Sequence, residues 1–169
     1  MIDAANAGSV VIRPDLRGWG ETAGEEEYSD WEGWAINRFA SRRYRLHALA
    51  LITGRSVALD RVRDLLALLP IAAELAPGRS VRIHGRRGGA WIALLAGVAT
   101  RRIDALVLEG GLASFRDVME CAMPLAFPDI YVPHLLTWGV DVSDLIHAFA
   151  GTATVRDARG ADLRPLRNP

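Results

Sequence analysis

The stretch Gly85-Arg86-Arg87-Gly88-Gly89 is where residue type and spacing in this chain first suggest chemistry. It follows the apolar run "SVRIH" and precedes "AWIALLAG", so it reads as a strand, a glycine-rich turn and a helix start. One chemistry for such a turn is a phosphate cradle. A dinucleotide fingerprint, G-x-G-x-x-G, would need glycine at Arg87, although Glu109 at the end of the next strand stands where a ribose-binding carboxylate would. A P-loop would need Gly-Lys-Ser/Thr, and none follows. The spacing instead matches G-x-S-x-G, a nucleophile elbow, with Gly85 and Gly89 as the outer glycines and Arg87 in the serine position. That residue sits on a sharp, strained turn, and side chains on its neighbours would clash with the adjoining strand and helix.

Other reactive side chains can be weighed against structural roles. Ser56, in "ITGRSVAL", lies in a superficial G-x-S-x-A frame, but Gly54 before it and a helix after it make it a helix cap. His84, just before the turn, reads as a hydrogen-bonded buried histidine or as polar lining of a pocket. His134 and His147 follow the Glu109 strand, so a Glu109–histidine dyad is a further arrangement the order allows. His47, beside Arg42, Arg43 and Arg45, reads as solvated surface, and that cluster is too small to argue nucleic acid. Cys121 is the single cysteine; it reads as packing in a Met-bearing helix and excludes an internal disulfide. The acid run at residues 25–27 reads as a solvated turn, and no metal site or cofactor is expected.

The elements that must position these residues alternate between strand and helix. Residues 9–15, "SVVIRPD", read as a buried strand closed by Pro14, followed by the glycine loop "LRGWGETAG". Ser29 and Glu32 form a capping-box signature for a helix over 30–44. Leu59, Val62, Leu65, Leu66 and Leu69 give a helical period over 57–75, with Pro70 set to end or kink it. After the strand–turn–helix at 79–97 come a strand over 103–111, a helix in "ASFRDVMECAM" and a Pro-bearing loop with a short helical turn. A short helix in "DVSDLIHAFA" and a weak strand in "TATVRD" follow. This alternation predicts a single α/β domain over 1–169, three layers with a mostly parallel sheet. Its chemistry belongs at the strand C-terminal ends: Asp15 to Gly20, Gly85 to Gly89, Glu109 to Gly111, and Asp157.

Bulk properties narrow the function classes. The 169 residues are 50% hydrophobic and 24% charged, a globular composition with room for a core without metal or disulfide. Twenty basic residues, all arginine, balance twenty acidic ones, so no net field favours nucleic acid or an anionic membrane. No apolar run reaches about 18 residues and "MIDAANAG" lacks a basic then apolar leader, which predicts a soluble chain. The compartment is left open.

Taken in order, these motifs resemble the α/β-hydrolase superfamily. "VVIRPDLRGWGE" resembles the D-x-x-G-x-G loop that precedes the elbow, and "RIHGRRGGAWIALLAG" with "RRIDALVLEGGLASFRDVME" resembles the elbow and following strand. The branch suggested is that of acetyl xylan esterases, dienelactone hydrolases and prolyl-oligopeptidase-like enzymes, and the likeness runs from about Val10 to Leu166. It implies a partial α/β-hydrolase fold, truncated at both ends, and ancestral ester or acyl hydrolysis through an acyl-enzyme. The resemblance puts the nucleophile at position 87, where a guanidinium cannot act as one. It makes the Gly88 N–H an oxyanion donor, Asp157 the candidate acid and Asp162 a weaker one, with His84, Gly85, Gly89 and Glu109 around a ligand pocket. The triad histidine should follow the acid, and no histidine follows Asp157. The expectation is therefore an inactive or impaired esterase-like chain, or else a binding or scaffold module using the elbow as an anion site. A small-molecule or carbohydrate-ester ligand is the implied partner, with neither nucleic acid nor membrane. Sheet edges left exposed would favour a homo-oligomer.

Overall fold

The computed structural model describes residues 9–23, 42–122, 124–125 and 128–164. Helices α1 (Arg42–Ile52), α2 (Val57–Ala67) and α3 (Leu69–Leu75) precede strand β1 (Arg82–Arg86) and helix α4 (Gly88–Ala99). Strand β2 (Ala105–Glu109), helices α5 (Phe115–Glu120) and α6 (Val142–Ala148), and strand β3 (Thr152–Arg156) complete the order. The strands form one parallel sheet in the order β1-β2-β3. Each parallel step needs a crossover, supplied by α4 and then by α5 and α6. The fold is mixed α/β, in keeping with a partial three-layer α/β/α architecture.

Local sequence explains the helix limits. Ser56 caps α2, its Oγ accepting the Leu59 N–H at 3.4 Å. The expected helix over 57–75 is present as two, because Pro70 lacks an N–H and occupies the first turn of α3. Asp141 joins two helix starts. Its carboxylate accepts from Ser114 Oγ (2.6 Å) and the Phe115 N–H (2.8 Å) of α5, and from the Val142 N–H (2.7 Å) of α6. Asp144 returns a bond to the Asp141 N–H, completing a capping box.

Register sorts the sheet into two chemically different faces. Ile83, Leu106 and Ala153 align on one face with Gly85, Leu108 and Val155. There α4 packs, burying Ile92, Ala93, Leu94 and Ala96. The approach is close at Gly97, where a Cβ would stand 2.8 Å from Leu106 Cδ1 and 3.0 Å from the Phe149 ring. The opposite face carries Arg82, His84 and Arg86, then Ala105, Val107 and Glu109, then Thr152, Thr154 and Arg156.

Two expectations need correction. Residues 9–15 form no strand: Val10, Val11 and Ile12 are 52%, 40% and 40% exposed, and none of the three strands pairs with them. β-Branched residues favour a strand only when a neighbouring strand takes up their backbone groups. His47, expected on the solvated surface, is buried on α1. The helix expected over 30–44 lies outside the described residues up to 41. No helix among the described residues is long and apolar enough to cross a membrane.

Candidate functional site

The turn between β1 and α4 carries Arg87 at φ 51° and ψ −121°, a backbone region that side-chain-bearing residues rarely adopt. Neighbouring groups hold it there. The Arg87 N–H donates to the Glu109 carbonyl at 2.7 Å, extending the β1–β2 pairing one residue, and its own carbonyl accepts the Ala90 N–H at 3.0 Å. Gly85 is where the strand passes the helix: a Cβ would lie 2.7 Å from Ala90 Cα and closer still to the Gly89 carbonyl oxygen. The Gly88 and Gly89 N–H groups open α4 and have no backbone acceptor among the described residues. The Arg87 side chain is exposed and forms no ion pair among the described residues.

The neighbouring strand ends bring further residues to this edge. Gly110, at φ 61°, turns the chain after β2, and its N–H donates to the Arg156 carbonyl at 2.9 Å. Asp157 follows β3 at φ 49°, exposed, and no histidine bonds to it among the described residues. Asp162 is engaged locally, its carboxylate accepting the Arg164 N–H at 3.0 Å.

His84 and Glu109 are brought together, on the sheet face opposite α4. His84 Nε2 lies 2.8 Å from Glu109 Oε2, and Arg86 Nε donates to Glu109 Oε1 at 3.1 Å. These bonds from His84 and Arg86 hold the Glu109 carboxyl below its usual range. His84 is half exposed, which corrects the reading of a buried histidine. The strand alternation explains it: Gly85 faces α4, so His84 faces away. Glu109 thus pairs with His84, and neither His134, beside Trp138, nor the exposed His147 bonds to it.

Sequence reasoning missed the buried ion cluster behind the glycine loop. Arg61 and Asp129 are both fully buried, with Arg61 Nη2 2.8 Å from Asp129 Oδ2. Arg43 adds a two-point bond to Asp129, at 2.9 and 2.7 Å. Burial alone would raise the Asp129 carboxyl, but the Arg43 and Arg61 guanidiniums outweigh it and hold it below the usual range. Arg61 also donates to the Arg17 carbonyl at 2.9 Å and lies 4.0 Å from the Trp19 ring centroid. Trp19 in turn borders Gly88, where a Cβ would come 3.3 Å from its ring. The cluster therefore fixes the loop that abuts the turn at 85–89. A signal existed at Arg61, which falls on the apolar stripe of α2 between Ala58 and Leu65. Asp129, in a Pro-bearing loop, had none.

Among the described residues, no group of three or more His, Cys, Asp or Glu is placed to hold a metal ion. Cys121 is half-buried at the C-terminal end of α5. No protein-family model matches the chain, and neither does any curated protein or solved structure.

Proposed function

We propose that this chain is an α/β-hydrolase-like domain of the serine esterase type that no longer carries out acyl transfer. The observation that carries the reading is Arg87: a strand–turn–helix with glycines at 85 and 89 holds it at φ 51°, in the place where such a turn would present a serine. An always-protonated guanidinium cannot attack an ester carbonyl. Removing the nucleophile from a triad costs on the order of a million-fold in turnover. The Gly88 N–H could still serve as one oxyanion donor, and Asp157 keeps the acid's place in chain order.

A fluorophosphonate probe tests this on the purified protein. The expected result is no labelled serine and no hydrolysis of p-nitrophenyl acetate above buffer; stoichiometric labelling of any serine overturns the reading. Arg87→Ser is expected to stay unlabelled, because the histidine next to that turn, His84, lies on the sheet face opposite α4 and is bonded to Glu109.

One observation favours a second reading, an anion site at the elbow. Arg87 is exposed beside two backbone N–H groups that have no acceptor among the described residues, an arrangement suited to a carboxylate or phosphate. Titration of acetate and inorganic phosphate against wild type and Arg87→Ala decides it. Weaker binding by the variant supports the site, and equal affinities refute it.

A further inference from the structure

β1 ends the sheet, and its outer side combines two features in one row of residues. The Arg87 N–H donates to the Glu109 carbonyl and the Val81 carbonyl accepts the Ala105 N–H, so odd-numbered residues turn their backbone groups inward to β2. Alternation turns those of Arg82, His84 and Arg86 outward, where they meet no backbone partner among the described residues. The same three residues direct their side chains to the sheet face opposite α4, all exposed, His84 by 50% and Arg86 by 74%. Unpaired backbone groups and cationic side chains thus coincide. At the β3 edge they do not: Thr152 and Arg156 bond inward to Asp104 and Gly110, which leaves uncharged Ala153 and Val155 turned outward. Arg82 forms no ion pair among the described residues, and Glu109 answers only the charge of Arg86 and His84. From Leu75 to Ile103 the chain has six arginines and no acid, so the field along β1 is positive.

We infer that the outer edge of β1 takes up, as an added strand, an extended segment of another protein with acidic residues at alternate positions. Edge addition draws affinity from main-chain hydrogen bonds and specificity from alternate side chains. On the charged face, residues of the added strand stand about 5 Å from Arg82 and Arg86 and about 7 Å from one another, the spacing of carboxylates two residues apart. On the other face the intervening residues lie beside half-buried Ile83, which suits an apolar side chain. A second copy of β1 does not fit, because self-pairing sets arginine against arginine. The face offers no Phe, Tyr or Trp for a base to stack on, so a peptide fits it better than a nucleic-acid strand. This surface does not depend on Arg87 or on the chain's being hydrolase-like.

The end-blocked peptides Glu-Val-Glu-Val-Glu and Gln-Val-Gln-Val-Gln test it on the full chain at about 50 mM salt, by fluorescence anisotropy and amide hydrogen exchange. The acidic peptide should bind saturably and about tenfold tighter than the neutral one. It should slow exchange at the Arg82, His84 and Arg86 amides and leave Ala153 and Val155 unchanged. Arg82→Glu should weaken the acidic peptide about tenfold and let Lys-Val-Lys-Val-Lys bind instead. If that variant fails to fold, Arg82→Gln replaces it, with an expected loss of about threefold. No saturable binding, or equal affinity for the acidic and neutral peptides, would overturn the inference. Undiminished binding of the acidic peptide with every amide N-methylated would show attraction by charge alone, and strand addition would fall. Slow exchange at the three β1 amides in the free chain would show an edge already covered, and tighter binding of an oligouridylate a nucleic-acid face; either refutes the proposal.

Discussion

Arg87 and the glycines around it obey different constraints, and substitutions separate them. At φ 51° and ψ −121°, any side chain at 87 bears backbone strain on the order of 1–3 kcal/mol. Arg87→Gly should therefore be more stable than Arg87→Ala by about 1 kcal/mol, reversing the order normal near a helix. Urea unfolding of the two variants measures it, and an Ala variant as stable as the Gly one would show that the turn carries no strain. Gly85 and Gly89 look alike in sequence but not in space. A Cβ at Gly85 meets the α4 backbone, whereas one at Gly89 meets nothing within 4 Å. Gly85→Ala should cost about 3 kcal/mol and Gly89→Ala no more than about 0.5 kcal/mol. Thermal melts of the pair check this directly.

At the scale of elements, the buried Arg61–Asp129 pair ties α2 to the loop at 128–130, and through Trp19 to the turn at 85–89. Arg61→Met leaves the buried Asp129 carboxylate to Arg43 alone, so it should destabilise, by less than the about 3–5 kcal/mol of a wholly uncompensated buried charge. The double variant Arg61→Met/Asp129→Leu should recover part of that loss, because it buries no lone charge. A double variant no more stable than Arg61→Met would show that these residues act separately. What the sequence made legible at this scale was whatever local periodicity controls. The helical repeat of α2, the break at Pro70 and the strand–glycine–helix corner are all written in spacings of two to four residues. The residues at 9–15 misled for the opposite reason: their β-branched side chains suit a strand, but whether a partner strand exists is not a local property. The site was half legible on the same grounds. The turn at 85–89 is local, whereas the His84–Glu109 contact comes from parallel register, which sets β1 against β2 and turns both residues to the same face.

For the whole molecule, zero net charge conceals an uneven distribution of titrating groups, and that distribution sets how acid unfolds the protein. His47 is buried, and burial lowers its pKa against the opposing pull of Asp129. Its neutral form is thus favoured in the folded state, while the unfolded chain takes up a proton near pH 6.5. Stability from His47 is present above that pH and is lost as pH falls below it, since the unfolded state then binds more protons. The carboxyls of Asp129, Asp64 and Asp141 are held low by arginine partners, by Ser114 or by backbone N–H groups. Their contribution is complete above about pH 4 and falls away only as pH drops through their lowered folded values. Acid should therefore weaken the fold in two separated steps, one below about pH 6.5 and one below about pH 4. Urea midpoints measured from about pH 8 to 3 should show both, and His47→Gln should erase the upper step alone. An upper step that survives in His47→Gln would assign it to another group, and a flat wild-type profile down to about pH 4.5 would refute the burial of His47 as its cause.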